Sequence, residues 1–173
     1  MTALKIIEIK AKYTNHDFAR EVLKQKNAVF NGKDFQSDVY FNCPSGRLKL
    51  RKGNIENNLI FYKRVNQAEP KESDVKFSKL LKDCTVEEVL AAAYKVLVTV
   101  NKTREIYFTG NAKVHLDFVE GLGSFIEIEV FTGDNSIASA FLEAECKELM
   151  CDFKIVKENL IDCSYSDMLL KES

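Results

Sequence analysis

Apolar and polar residues alternate along most of the chain. Ile7, Ile9 and Ala11 interleave with Glu8, Lys10 and Lys12, which is the period of a strand with one charged face. Asn15 is placed to cap a helix running to about Asn27, with Phe18, Val22 and Leu23 on one stripe. Strand character returns from about Asp34 to Asn42, and Pro44-Ser45-Gly46 makes a turn. Arg47 to Arg51 alternates strictly, and Gly53-Asn54 turns the chain again. Leu59 to Val65 is a further strand, and Val75 and Phe77 mark a weaker one after Pro70.

Thr85 and Glu88 have the spacing of a capping box at the head of a helix to about Lys95. Val96 to Phe108 is rich in β-branched and aromatic residues, and Gly110-Asn111 has hairpin chemistry. Ala112 to Val119 and Ser124 to Thr132 are strands separated by Gly121-Leu122-Gly123. Ser136 is expected to cap a helix to about Met150. An apolar segment follows around Val156, and a last helical turn at Tyr165 to Leu170. About eight strands and three main helices predict an α+β domain.

The charges on these strands are segregated. Side chains two apart share a face, so Arg47, Lys49 and Arg51 line one face of a strand with no intervening acid. Lys102 pairs with Arg104 in the same way, His115 with Asp117, and Glu127 with Glu129, while Lys63 adds a cation to an otherwise apolar strand. Each strand alone reads as an ordinary half-buried one with its charges in water. As a set they differ from a solvated surface, which mixes signs. A polar-lined barrel that holds phosphate and metal together needs this division. Arginine forks and lysine point charges suit phosphate oxygens, and carboxylates at i and i+2 suit a hard cation such as Mg²⁺ or Mn²⁺.

Bulk composition narrows the classes further. The 173 residues carry 25 Lys and Arg against 26 Asp and Glu, a net charge of −1, so no overall basic field points to nucleic acid or membrane. The five cysteines (Cys43, Cys84, Cys146, Cys151, Cys163) lack CxxC spacing and, with only His16 and His115, give little support to zinc. They read as small buried hydrophobes of a reducing compartment. The charged N-terminal segment lacks a signal-peptide core, and no stretch approaches the roughly 18 apolar residues of a membrane span. A soluble, cytoplasmic protein is expected. No Ser/His/Asp or Cys/His arrangement suggests nucleophilic catalysis, His115 reads as a hydrogen-bonded wall residue, and Gly121-Leu122-Gly123 lacks P-loop spacing.

Several segments together resemble the CYTH superfamily, which includes class IV adenylate cyclases, thiamine triphosphatases and inorganic triphosphatases. They are Ile7-Glu8-Ile9-Lys10-Ala11-Lys12, Asp38-Val39-Tyr40-Phe41, Gly46 to Arg51, Leu59 to Arg64, Pro70 to Asp74, Asn101 to Arg104 and His115 to Glu129, with a weaker tail at Ser164 to Asp167. The nearest pattern is the bacterial class IV adenylate cyclase-like branch. The resemblance implies a single CYTH-like domain over 1–173, built as an eight-stranded antiparallel β-barrel, a triphosphate tunnel, with flanking helices. It implies a metal-dependent enzyme acting on a triphosphate-bearing small molecule, ATP to cyclic AMP and pyrophosphate in the cyclase version. The alternatives are hydrolysis of thiamine triphosphate or tripolyphosphate, and non-catalytic nucleotide or polyphosphate binding. A homodimer is compatible with it.

Carried over by position, Lys10, Arg47, Lys49, Arg51, Lys63, Lys102 and Arg104 would bind substrate, with Lys12, Arg51, Lys63 and Arg104 catalytic. Glu8, Asp117, Glu127 and Glu129 would hold Mg²⁺ or Mn²⁺. The family motif is Glu-x-Glu-x-Lys, whereas here Lys10 takes the middle position. Either fewer carboxylates hold the metal and protein cations meet more of the phosphate charge, or the metal site is weakened. Pro70 to Asp74 departs from the Ser-Arg-x-Glu pattern of other members and is assigned no role.

Overall fold

A strand that is apolar on one side and charged on the other must cover the first and solvate or pair the second. In this chain helices cover the apolar side, and curvature of the sheet encloses the charged one. The computed structural model describes residues 5–63, 71–72, 74–81, 85–132 and 138–172. In chain order the elements are β1 (Lys5–Lys12), α1 (His16–Gln25), β2 (Val29–Phe41), β3 (Arg47–Lys52), β4 (Asn58–Lys63), β5 (Lys71–Glu72) and β6 (Asp74–Lys79). They continue with α2 (Val86–Tyr94), β7 (Val96–Thr109), β8 (Ala112–Val119), β9 (Gly123–Thr132), α3 (Ser139–Asp152) and α4 (Tyr165–Glu172).

The strands form one sheet, ordered β5-β1-β9-β8-β7-β2-β3-β4-β6, with every pairing antiparallel. One residue separates β5 from β6, yet they are the two ends of that order, pairing with β1 and β4. A single stretch of chain therefore borders both edges of a curled sheet. Counted as one interrupted strand, β5 and β6 make the eight antiparallel strands expected, and the α+β class holds.

The main core lies outside the curl. Ile7, Ile9, Val114, Leu116, Ile126 and Ile128 from β1, β8 and β9 pack with Ala19, Val22 and Leu23 of α1 and Leu142, Cys146 and Leu149 of α3. Burying each large aliphatic side chain contributes about 1.5–3 kcal/mol before entropy is counted. Helix α2 covers a smaller cluster with Val39, Phe41 and Leu50, and α4 joins Tyr165 to Tyr40, Val100 and Phe125.

Several local expectations are met and others shift. The Asn15 side chain accepts a hydrogen bond from the Phe18 amide at 3.1 Å, capping α1. Gly110-Asn111 links β7 to β8, Thr109 pairing with Ala112. Gly46 has φ +68, a conformation that favours glycine, and closes the turn before β3. Strand β2 begins at Val29, five residues before the expected Asp34, because its early residues pair with the end of β7. Thr85 makes no side-chain capping bond, so the capping box does not form, although α2 starts beside it. Ser136, Arg64, Val65, Pro70, Ser73 and Cys84 lie outside the described residues, and α3 starts at Ser139 with Ala138 before it. Val156 is exposed and Lys157–Asn159 forms a single 3₁₀ turn. Cys146 and Cys163 are buried as expected, whereas Cys151 is exposed and Cys43 intermediate. No helix among the described residues is long and apolar enough to cross a membrane.

Candidate active site

The strand register fixes which side chains share the concave face. Lys10, Glu127 and His115 stand opposite one another on β1, β9 and β8, and Glu8, Glu129 and Lys113 form the next row. Arg51 faces Asp38 across β3 and β2. These side chains, with Lys49, Lys102, Arg104, Glu56, Lys79 and others, line a cavity of about 630 Å³. The lining holds seven lysines and arginines against five carboxylates, so two positive charges remain after every acid is matched.

Asp38 is the hub of the cationic wall. Its Oδ1 accepts from Arg51 Nε at 2.8 Å, and its Oδ2 accepts from Lys102 Nζ at 2.7 Å, Arg51 Nη2 at 2.9 Å and Lys49 Nζ at 3.2 Å. Burial alone would raise this carboxyl's pKa, but Arg51 and Lys102 outweigh it and hold the group well below its usual range. Lys102 responds oppositely: burial, reinforced by Arg51 and Arg104, pushes its pKa down to about 7 despite Asp38. A fully buried ammonium crowded by two guanidiniums gains from any added negative charge.

Glu56 is a second anchor. Its carboxylate accepts from Arg51 Nη1 at 2.9 Å and from Lys113 Nζ at 2.6 Å. Burial opposes its ionisation, and Arg51 and Lys113 overcome that to keep it charged. The loop that carries it is pinned by Asp34, whose carboxylate accepts from the amides of Ile55 at 2.8 Å and Glu56 at 3.0 Å.

The acidic wall is organised by Arg104. It donates to both oxygens of Asp117, at 2.7 and 2.6 Å, and to Glu127 at 2.5 Å. Tyr165 of α4 donates to Asp117 at 2.8 Å, and its ring lies 4.4 Å from Lys10 Nζ. Lys10 reaches Glu127 at 3.4 Å. Burial again raises the Glu127 pKa, and Lys10 and Arg104 together hold it well below the carboxylate range. Lys10, where the resemblance implies a carboxylate, is thus an ion-pair partner of a neighbouring acid.

His115 differs from its expected role as a hydrogen-bonded wall residue. It is 1% exposed, and neither ring nitrogen has a hydrogen-bond partner among the described residues. Nδ1 stands 3.7 Å from Glu127 and 3.9 Å from Glu129, too far for hydrogen bonds. Burial, then Arg104, lowers its pKa, so the ring is neutral near pH 7.

Of the residues singled out in the sequence, Glu8, Lys10, Lys49, Arg51, Lys102, Arg104, Glu127 and Glu129 meet at the cavity. Asp117 stands behind it, fully buried and engaged by Arg104 and Tyr165. Arg47 is half-buried and pairs with Asp167 of α4 at 2.8 Å. Lys12 is exposed at the end of β1, outside the lining. Lys63 is exposed as well, because Asn58, Ile60 and Tyr62 face the cavity and the strand period turns Lys63 away. Asp38, Glu56, Lys113 and Tyr165 received no role from the sequence. Asp38 and Tyr165 sat inside recognised segments, whereas Glu56 lies in a turn with no periodic signal.

The donors present suit a divalent ion. Glu8 lies directly opposite Glu129, and His115 offers an orphaned nitrogen near Glu127 and Glu129. His115, Glu127 and Glu129 have potential ligand atoms within 4.8 Å of one another.

The CYTH domain family model matches residues 4–150. A Methanocaldococcus jannaschii protein named "Putative adenylate cyclase" is 27% identical over 173 residues, covering 94% of this chain and 97% of its own. The structure of a "putative adenylate cyclase" from Vibrio parahaemolyticus superposes with TM-score 0.78 at 22% identity, covering 96% of this chain and 98% of its own. A protein from Hippeastrum, described as a "putative adenylyl cyclase" with "a dominant triphophatase activity", gives TM-score 0.62 at 13% identity, covering 97% and 95%. With the family match spanning most of its length, the chain belongs to the CYTH domain family.

Proposed function

We propose that the chain is a metal-dependent enzyme that takes a nucleoside triphosphate into this cavity and converts ATP to cyclic AMP and pyrophosphate. The observation that carries the reading is the gathering of Arg51, Lys102 and Arg104 with Glu127 and Glu129 around one cavity. A triphosphate brings about four negative charges near neutral pH, more than the surplus of the lining, so a divalent ion is needed to complete the match. That ion, bound by Glu8, Glu127 and Glu129, would neutralise charge developing on the phosphates.

The chain's own groups do the rest. Lys49, Arg51 and Lys102 shift part of their pairing from Asp38 to phosphate oxygens, so the cationic wall is already oriented when substrate arrives. Arg104, clamped by Asp117, keeps its guanidinium pointed along the acidic wall. The ribose 3′-hydroxyl then attacks the α-phosphorus and gives up its proton to solvent, while the bond from that phosphorus to the β-phosphate's bridging oxygen breaks and pyrophosphate leaves toward the cations. Apolar groups line the remaining wall, Ile60 opposite Phe77 and Ile6 opposite Phe131, and give a nucleobase a surface that a bare tripolyphosphate does not need. The names of the Methanocaldococcus and Vibrio proteins support the same reading.

A second reading, triphosphate hydrolysis, is favoured by the Hippeastrum protein, whose fold this chain shares and whose described activity is a triphosphatase. Water would replace the 3′-hydroxyl and attack the terminal phosphorus. One experiment separates them: purified protein with Mg²⁺ or Mn²⁺ and ATP, thiamine triphosphate or tripolyphosphate. Cyclic AMP with pyrophosphate supports the first reading, and inorganic phosphate supports the second. Binding without turnover under every divalent ion would leave a non-catalytic binder. Arg51→Ala is expected to lower whichever rate is found by about 10²-fold or more.

A further inference from the structure

Resting on the metal-dependent reading above, we propose that His115 is itself a metal ligand, making with Glu127 and Glu129 a mixed nitrogen and oxygen site for a divalent transition ion. Lys10 and His115 flank Glu127 from the two neighbouring strands, one row across the sheet. Lys10 brings an ammonium to Glu127 Oε1 at 3.4 Å, so the β1 side of this row presents a cation and no metal donor. On the β8 side the imidazole faces Oε2 of the same carboxylate at 3.7 Å and Oε1 of Glu129 at 3.9 Å.

A buried polar ring with no partner is costly, and such rings are rare unless a ligand completes them. His115 has two such nitrogens, at 1% exposure. Donor atoms around one first-row ion lie about 2 Å from it and hence roughly 3–4 Å apart; Nδ1 stands 3.7 and 3.9 Å from the two carboxylates, and all three donors lie within 4.8 Å of one another. Two carboxylates alone would suit Mg²⁺, whereas an imidazole beside them moves preference toward first-row transition ions.

The test is pulsed electron paramagnetic resonance on the full-length wild-type chain loaded with Mn²⁺, beside calorimetric titrations of Mn²⁺ and Mg²⁺. The expected result is a directly bound ¹⁴N coupling and Mn²⁺ affinity at least about tenfold above that for Mg²⁺. In His115→Leu, checked for folding by circular dichroism, the coupling should vanish and the preference shrink. Tight Mn²⁺ binding without nitrogen coupling, or coupling that survives in His115→Leu, overturns this inference and leaves the metal-dependent reading standing. Absence of binding by either ion to the wild type overturns both. The wild-type spectrum decides even where the variant fails to fold.

Discussion

Four hydrogen bonds from three cations converge on Asp38, a carboxylate with almost no exposure of its own. Removing it leaves Lys102 buried without its counter-charge and Arg51 with Glu56 alone, and breaking such a buried pair typically costs about 3–5 kcal/mol. Asp38→Ala should therefore lose about 3–5 kcal/mol of stability in urea titration at pH 7. The loss should narrow in acid: a carboxyl whose pKa is depressed by folding stabilises above its unfolded value of about 3.9 and ceases to as pH falls through the folded one. Lys102 makes a second prediction. Its pKa is pushed down to about 7, and a bound polyanion stabilises the charged amine and raises that value. Above pH 7 binding must take up a proton, so tripolyphosphate affinity should fall by at most about tenfold per pH unit between 7 and 9. Calorimetry in buffers of different ionisation enthalpy reads the uptake, which Lys102→Met should abolish. Charge type and face were legible for these residues because period 2 is visible in a sequence. The pairing of Asp38 with strands β3 and β7 was not, because register across strands distant in the chain leaves no local mark.

Strand phase explains what happened to the predicted cations at the level of elements. Arg47, Lys49 and Arg51 alternate on one face as read, yet only the last two reach the cavity, since Arg47 is drawn to Asp167 on α4. Lys63, expected to bind substrate, lies outside the cavity because β4 presents Ile60 and Tyr62 to it. The β3–β4 loop, a plain turn in sequence, carries Glu56 to Arg51 and Lys113. Gly53 matters there for space: a Cβ would sit 2.6 Å from Asp34 Oδ1 and 2.8 Å from the Glu56 carbonyl. Gly53→Ala should displace the loop, cost about 1–3 kcal/mol in thermal or urea unfolding, and loosen Glu56 from Arg51 and Lys113. The boundaries of β2 and the missing capping box were illegible for a related reason, since pairing with β7 and packing of α2 override local propensity.

Across the whole molecule, helices α1 and α3 cover the apolar outer face of β1, β8 and β9, while the sheet's charged face curls inward. That inversion separates this chain from an ordinary half-buried sheet, and sequence patterning alone serves both equally well. Seven cations and five carboxylates border the cavity, and the buried ones among them interact more strongly than they would in water. The claim that the cavity holds a triphosphate and a divalent ion at once is tested most directly by calorimetric titration of a non-hydrolysable ATP analogue, with and without Mn²⁺. Saturable binding at one site, strengthened about tenfold or more by the ion and abolished in the Lys49→Ala/Arg51→Ala double variant, is the predicted result. Absence of binding under either condition, or binding that survives in the folded double variant, would contradict it.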